Sequence, residues 1–190
     1  MRVSLQGFLN MEQYYYLISS LPSLRWGESS GITLAQFMEL CRHHLNSKDL
    51  ARLEALTLRP DGKIVFPKHS TALTWREWDA ELRHSMAEKR SQDKAAHRSQ
   101  CQPSQENKLN VAEIYNHKNP AAREQALDGI RWKRIEELEF GHYFDLNRLY
   151  LYKFKLLLQE KWRLRNVEAG YQNFDRIISA VTPSEPPTAT

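Results

Sequence analysis

The sequence predicts an all-α chain: an antiparallel helical array in two halves, with one short extended segment near the N-terminus left open. Three observations carry that prediction. Seven glycines in 190 residues leave little material for β-turns or phosphate loops. Apolar residues recur at spacings of three and four, which gathers them on one helix face. Capping residues stand just ahead of those stripes, at Thr33, Ser47, Thr74, Asn119 and Asp145.

Residues 13–21, Gln-Tyr-Tyr-Tyr-Leu-Ile-Ser-Ser-Leu, fit a short buried strand or the first turns of a helix equally well, and Pro22 ends them. Thr33 opens a helix over about 34–45, with Leu34, Phe37, Met38, Cys41 and Leu45 on one face. Ser47 caps the next, striped by Leu50, Leu53 and Leu56, and the short Asn46-Ser47 link makes the two a hairpin. Pro60-Asp61-Gly62 signals a turn, and residues 63–67 read as extended. Thr74-Trp75-Arg76-Glu77 has the form of a capping box, starting a helix that carries Trp75, Trp78, Leu82 and Met86 on one side and fades towards Arg98. Leu109, Val111, Ile114 and Tyr115 suggest a short helix after the break at residues 100–107. Asn119-Pro120 then begins a helix with Leu127, Ile130, Ile135 and Leu138, stopping at Gly141. Asp145 caps the longest helix, 146–167, which Gly170 ends. A last short helix holds Phe174, Ile177 and Ile178. The resulting division is an N-terminal half at 1–100, a linker at 101–107, a C-terminal half at 108–181 and a disordered tail at 182–190.

Apolar residues at 41% and aromatics at 11% supply a real core and argue against a disordered chain. The net charge of +4 permits a nucleic-acid, anionic-lipid or acidic-protein partner without requiring one. Two separated cysteines, Cys41 and Cys101, fit a reducing compartment, and no run approaches the roughly 20 apolar residues of a membrane span. The first ten residues lack a signal-peptide pattern, and Met11 is an alternative start.

Catalytic patterns are sparse. There is no phosphate-binding glycine loop. The adjacent His43 and His44 point about 100° apart on a helix and do not share a metal readily. His142 and Asp145 read as a hydrogen-bonded pair at a helix start, Cys41 as a packed core thiol, and Glu136, Glu137 and Glu139 as a solvated face. The richest stretch lies between Arg148 and Arg165, where Arg148, Lys153, Lys155, Lys161, Arg163 and Arg165 face one acid, Glu160. Tyr150, Tyr152, Phe154 and Trp162 interleave with them, as a single-stranded nucleic-acid platform requires. A core helix whose cationic stems snorkel to a protein-docking face looks the same, and the leucines on several sides favour it.

Two stretches carry a family resemblance. The first is Tyr14 to Pro22 with Leu34, Phe37 and Cys41-Arg42. The second runs from Asn119-Pro120 through Leu127-Asp128, Arg131-Trp132, Glu137-Leu138-Glu139 and Gly141-His142-Tyr143-Phe144-Asp145 to Leu149, Tyr152, Lys155-Leu156 and Arg163. Together they resemble a bacterial family of uncharacterised proteins encoded alongside V-type ATPase subunits. The C-terminal half is also similar in outline to one helical module of the socket subunit of V/A-type ATPases, which joins the membrane rotor ring to the central axle. The chain is much shorter than that three-module subunit.

The resemblance implies a non-catalytic subunit or accessory, not an enzyme, in the central stalk that couples the rotor ring to the soluble motor. Its partners would be V-type ATPase subunits, with no cofactor, small-molecule substrate or direct membrane insertion, and its place cytoplasmic, peripheral to the inner membrane through the complex. Arg148, Lys153, Lys155, Lys161, Arg163 and Arg165, with the Gly141 to Asp145 corner, are the expected docking surface. The alternative is a nucleic-acid-binding protein using helix 146–167.

Overall fold

The computed structural model describes residues 14–28, 30–59, 70–92, 105–163, 165 and 167–181. Among them lie eight helices and no strand: α1 over 14–20, α2 Leu34–His44, α3 Ser47–Glu54, α4 Thr71–Gln92, α5 Gln105–Asn116, α6 Pro120–Leu138, α7 Leu146–Arg163 and α8 Val167–Val181. The open choice near the N-terminus resolves as helix. Leu17 of α1 is fully buried, and Ile18 and Tyr14 pack against the same core. Segment 63–67, the α4 extension beyond Gln92, Cys101, the first part of the linker and the 182–190 tail lie outside the described residues, as do Met1 and Met11.

Helix α7 is the centre of the molecule and packs on α2, α3, α4 and α6. Leu149 to Leu156 are buried at every position, so this stretch of α7 has no solvent face, its two lysines included. One apolar cluster draws from both sides of residues 101–107, joining Leu17, Phe37, Leu53 and Trp75 to Trp132, Leu149 and Phe154. A second joins Trp78, Leu82 and Met86 of α4 to Val111, Ile114 and Leu127. The four α4 residues expected on one side are all buried.

The helix starts divide into those set locally and those set from afar. Thr33 caps α2 in a reciprocal box with Gln36, and the Asn119 side chain accepts from the Ala121 amide ahead of Pro120. At α3 the cap is Asn46 rather than Ser47, because the Asn46 Oδ1 reaches the Asp49 amide at 2.9 Å. Helix α4 begins at Thr71, a turn before the expected box at Thr74. The Ser70 Oγ accepts from the Leu73 amide at 3.3 Å, and Asn147 of α7 accepts from the Thr71 amide at 3.1 Å. Thr74 therefore sits inside the helix, its hydroxyl donating back to the Ser70 carbonyl. The longest expected helix, 146–167, stops at Arg163 as α7, and Gly170 lies inside α8 instead of ending a helix.

Candidate protein-docking site

Several of the charged residues inside the fold are tied into one network. Asp79 on α4 and Asp128 on α6 have side chains that are 1% and 0% exposed, and Arg131 bridges them. Its Nε donates to Asp79 Oδ1 at 2.7 Å and its Nη1 to Asp128 Oδ1 at 2.8 Å. On the other side, Asp128 Oδ2 accepts from Lys161 Nζ at 2.6 Å and Trp162 Nε1 at 2.9 Å. Lys161 also bonds Glu124, and Arg83 pairs with Asp79 at 2.6 Å. Burial works to lower the Arg131 pKa, but Asp79 and Asp128 together carry it above its ordinary value. Burial likewise raises Glu124, and the Lys161 ammonium outweighs it and holds that carboxyl low. The network clamps α4, α6 and α7. Periodicity alone did not single out its acids, although Asp79 stands one turn after Trp75 on the apolar side of α4, where a charge needs a partner.

The six basic residues expected to form a docking face are mostly used within the fold. Arg148 and Lys155 converge on Glu139 at 2.8 and 2.9 Å, and Lys155 also lies 5.1 Å from the Trp132 ring centroid. Lys153 is buried and donates to the Leu53 carbonyl at 2.7 Å and the Glu54 carbonyl at 3.1 Å, closing the end of α3. Lys161 belongs to the Asp128 network. Only Arg163 and Arg165 of the six are exposed, Arg163 paired with Glu160 and Arg165 stacked on Trp162 at 4.4 Å. Charge reversal at Lys153 or Lys161 would therefore disturb packing inside the fold and not only a docking surface. The rings expected to stack bases are interior too. Tyr150, Tyr152 and Phe154 are buried, and the Tyr152 hydroxyl donates to the Pro22 carbonyl at 2.8 Å.

Burial lowers the Lys153 ammonium to about 8, against the partial support of Glu54. Between pH 8 and 10.5 the folded lysine is neutral while the unfolded one is still charged, so its contribution to stability rises with pH. Across that window the gain approaches about 3 kcal/mol. Cys41 and Tyr150, both pushed up to about 12 chiefly by burial, keep their protons in the folded state where the unfolded groups lose them, so they subtract stability as pH rises above their unfolded values, but a Lys153→Met variant retains them. Urea denaturation should show wild type gaining about 2 kcal/mol on Lys153→Met between pH 7.5 and 9.5. A difference that stays flat would place the Lys153 ammonium in water.

What the fold leaves outside is aromatic. Between α6 and α7 the chain turns at Gly141, whose φ of 85° is the left-handed region that glycine adopts without strain. The His142 Nδ1 bonds Asp145 Oδ2 at 2.6 Å, and Asp145 Oδ1 accepts from the Arg148 amide at 3.0 Å, capping α7 as its sequence position suggests. This pinned corner presents Phe140 at 86% and Tyr143 at 62% exposure, with Phe144 half exposed. Tyr15 of α1 meets Phe144 at 4.7 Å between ring centroids, and the exposed Tyr16 stands edge-on to Tyr15 at 5.9 Å. Polar groups hold the backbone while five aromatic side chains face water. Large exposed aromatic side chains gathered at one corner are the kind of surface that marks an interaction site.

Among the described residues no group of three or more His, Cys, Asp or Glu side chains is placed to hold a metal ion, and no helix is long and apolar enough to cross a membrane. The class defined by fold and surface is an all-α helical protein with an exposed aromatic corner. Residues 102–184, from the linker through α8, match a family described as "Protein of unknown function (DUF2764)". No curated protein and no solved structure matches the chain.

Proposed function

We propose that this chain is a non-catalytic component of a V-type ATPase, docking on the central stalk through its Phe140 to Phe144 corner. The observation that carries the docking surface is the exposure of Phe140, Tyr143 and Phe144 on a corner fixed by the His142–Asp145 pair, with Tyr15 of α1 set against Phe144. Tyrosine and phenylalanine on a rigid support are the usual anchors of a protein interface, large in area and low in ordering cost. The assignment to a V-type ATPase comes from the sequence resemblance. A stiff helical body with a buried ionic clamp suits a coupling part, because it transmits force without internal slip.

The nucleic-acid alternative has less to work with, since the rings it needs on α7 are interior. The interface therefore shifts from the basic helix to the corner. Replacing Phe140 and Tyr143 together by serine should weaken binding to the purified stalk subunits about thirtyfold while changing stability by less than about 1 kcal/mol. Titration calorimetry or biolayer interferometry reads the affinity, and unchanged binding would remove the corner from the interface.

A further inference from the structure

Beside the aromatic corner, the end of α1 and the first turns of α7 stand apart around a pocket of about 290 Å³. Its walls are apolar where Ile18, Leu21, Pro22 and Leu24 line it, and cationic where Arg148 and Lys155 do. The Lys155 side chain is 7% exposed and lies at depth, whereas that of Arg148 is 31% exposed and within reach of a partner. One acid, Glu139, lines the same space and pairs with both cations. Glu136 stands 3.8 Å from Lys155, but it is outside the lining and accepts from the Trp132 indole. Asp145 is engaged by His142 and by the Arg148 amide. The lining therefore carries two positive charges against one negative. Arg148 also has donors to spare. Among the described residues its guanidinium meets Glu139 through Nη1 at 2.8 Å and forms no other ion pair or hydrogen bond.

We propose that this pocket receives a glutamate side chain of the protein that docks on the corner, an inference that rests on the docking reading above. Charge sets the chemical class. A carboxylate balances the one surplus cation and suits the forked N–H donors of a guanidinium. A phosphate would bring two charges against that single surplus and would be repelled by Glu139. Size and walls select a side chain. A space of about 290 Å³ is small beside the pockets of drug-sized ligands, and the apolar walls suit the methylene stem of a glutamate. Position ties the pocket to the corner. Glu139 directly precedes Phe140, Ile18 stands one turn after Tyr15 on α1, and Arg148 lies one turn beyond Phe144, the ring that Tyr15 meets. A partner covering the rings has the pocket within reach. A charged anchor there fixes the register of an interface whose area is otherwise aromatic.

Butyrate reproduces a glutamate side chain, so an NMR titration of the isotope-labelled full chain with sodium butyrate, at ionic strength held by sodium chloride, tests the pocket with no partner present. The Ser23 amide and the Arg148 side-chain N–H should shift and saturate in the millimolar range. Butyramide, which has the shape without the charge, and sulfate, which has the charge without the stem, should bind at least tenfold more weakly. Ser23 lines the pocket from an exposed position, and Ser23→Trp blocks entry while leaving the Glu139 cluster intact. That variant and Arg148→Gln should each weaken butyrate at least tenfold with helical circular dichroism unchanged. A response that never saturates, that butyramide or sulfate matches, or that survives Ser23→Trp would overturn the pocket. Binding to the purified stalk subunits should fall at least tenfold in Ser23→Trp as well. Subunits that need Phe140 and Tyr143 but ignore Ser23→Trp would overturn the acidic anchor. Saturable butyrate binding beside stalk subunits that never bind would overturn the stalk reading instead.

Discussion

Asp128→Ala should destabilise the protein by about 3–5 kcal/mol, the largest loss expected from any single charged side chain here. Asp128 is fully buried and accepts from Arg131, Lys161 and Trp162 at once. Alanine leaves three partly buried donors facing an empty place, and the cost is their lost pairing rather than a lost attraction. Arg131 retains Asp79, and Lys161 retains Glu124, so the damage is bounded. The Asp128→Asn substitution keeps the shape and one acceptor and should cost less than alanine. A second step, Lys161→Met, should cost clearly less in the Asp128→Ala background than in wild type, since the two residues share one network. Urea denaturation of wild type, the single variants and the double variant reads both numbers. A loss under about 1 kcal/mol for Asp128→Ala would mean that water reaches the clamp.

Trp75→Ala is expected to cost about as much, roughly 3–5 kcal/mol, by a different route. The indole is 0% exposed and stacks on Phe154 of α7 with 4.2 Å between centroids and 25° between planes. Removing it opens a cavity between α4 and the central helix, which cannot collapse while α2, α3 and α6 hold α7 in place. Trp75→Phe separates packing from hydrogen bonding. The Trp75 Nε1 is buried with no partner among the described residues, so phenylalanine loses some volume but also relieves an unsatisfied donor. Its cost should stay near about 1 kcal/mol. Equal losses for alanine and phenylalanine would point to a hidden partner for the indole N–H instead of to the stack.

Much of this architecture is readable without coordinates. The Leu34 to Leu45 stripe, the Thr33 cap, the Asn119-Pro120 start and the Asp145 cap depend on residues three or four apart, which a sequence displays directly. What escapes is long-range. Helix α4 starts at Thr71 because Asn147, 76 positions away, accepts from its amide. The basic residues of α7 look like a surface because their type is usually solvated, yet Lys153 and Lys155 are buried. Their stems pass between apolar neighbours to meet the end of α3 and Glu139, partners that no local pattern names. The aromatic corner is half legible. Gly141 to Asp145 stands out as a turn, but the contribution of Tyr15 and Tyr16 from α1 depends on the fold.

Docking on a V-type ATPase stalk is tested most directly by native mass spectrometry of the full chain with the soluble and central-stalk subunits of its own organism. The expected result is a stoichiometric complex that survives moderate salt, as an aromatic interface should, and is lost when Phe140 and Tyr143 are both replaced by serine. The chain migrating alone, with every candidate subunit folded and present, would contradict it.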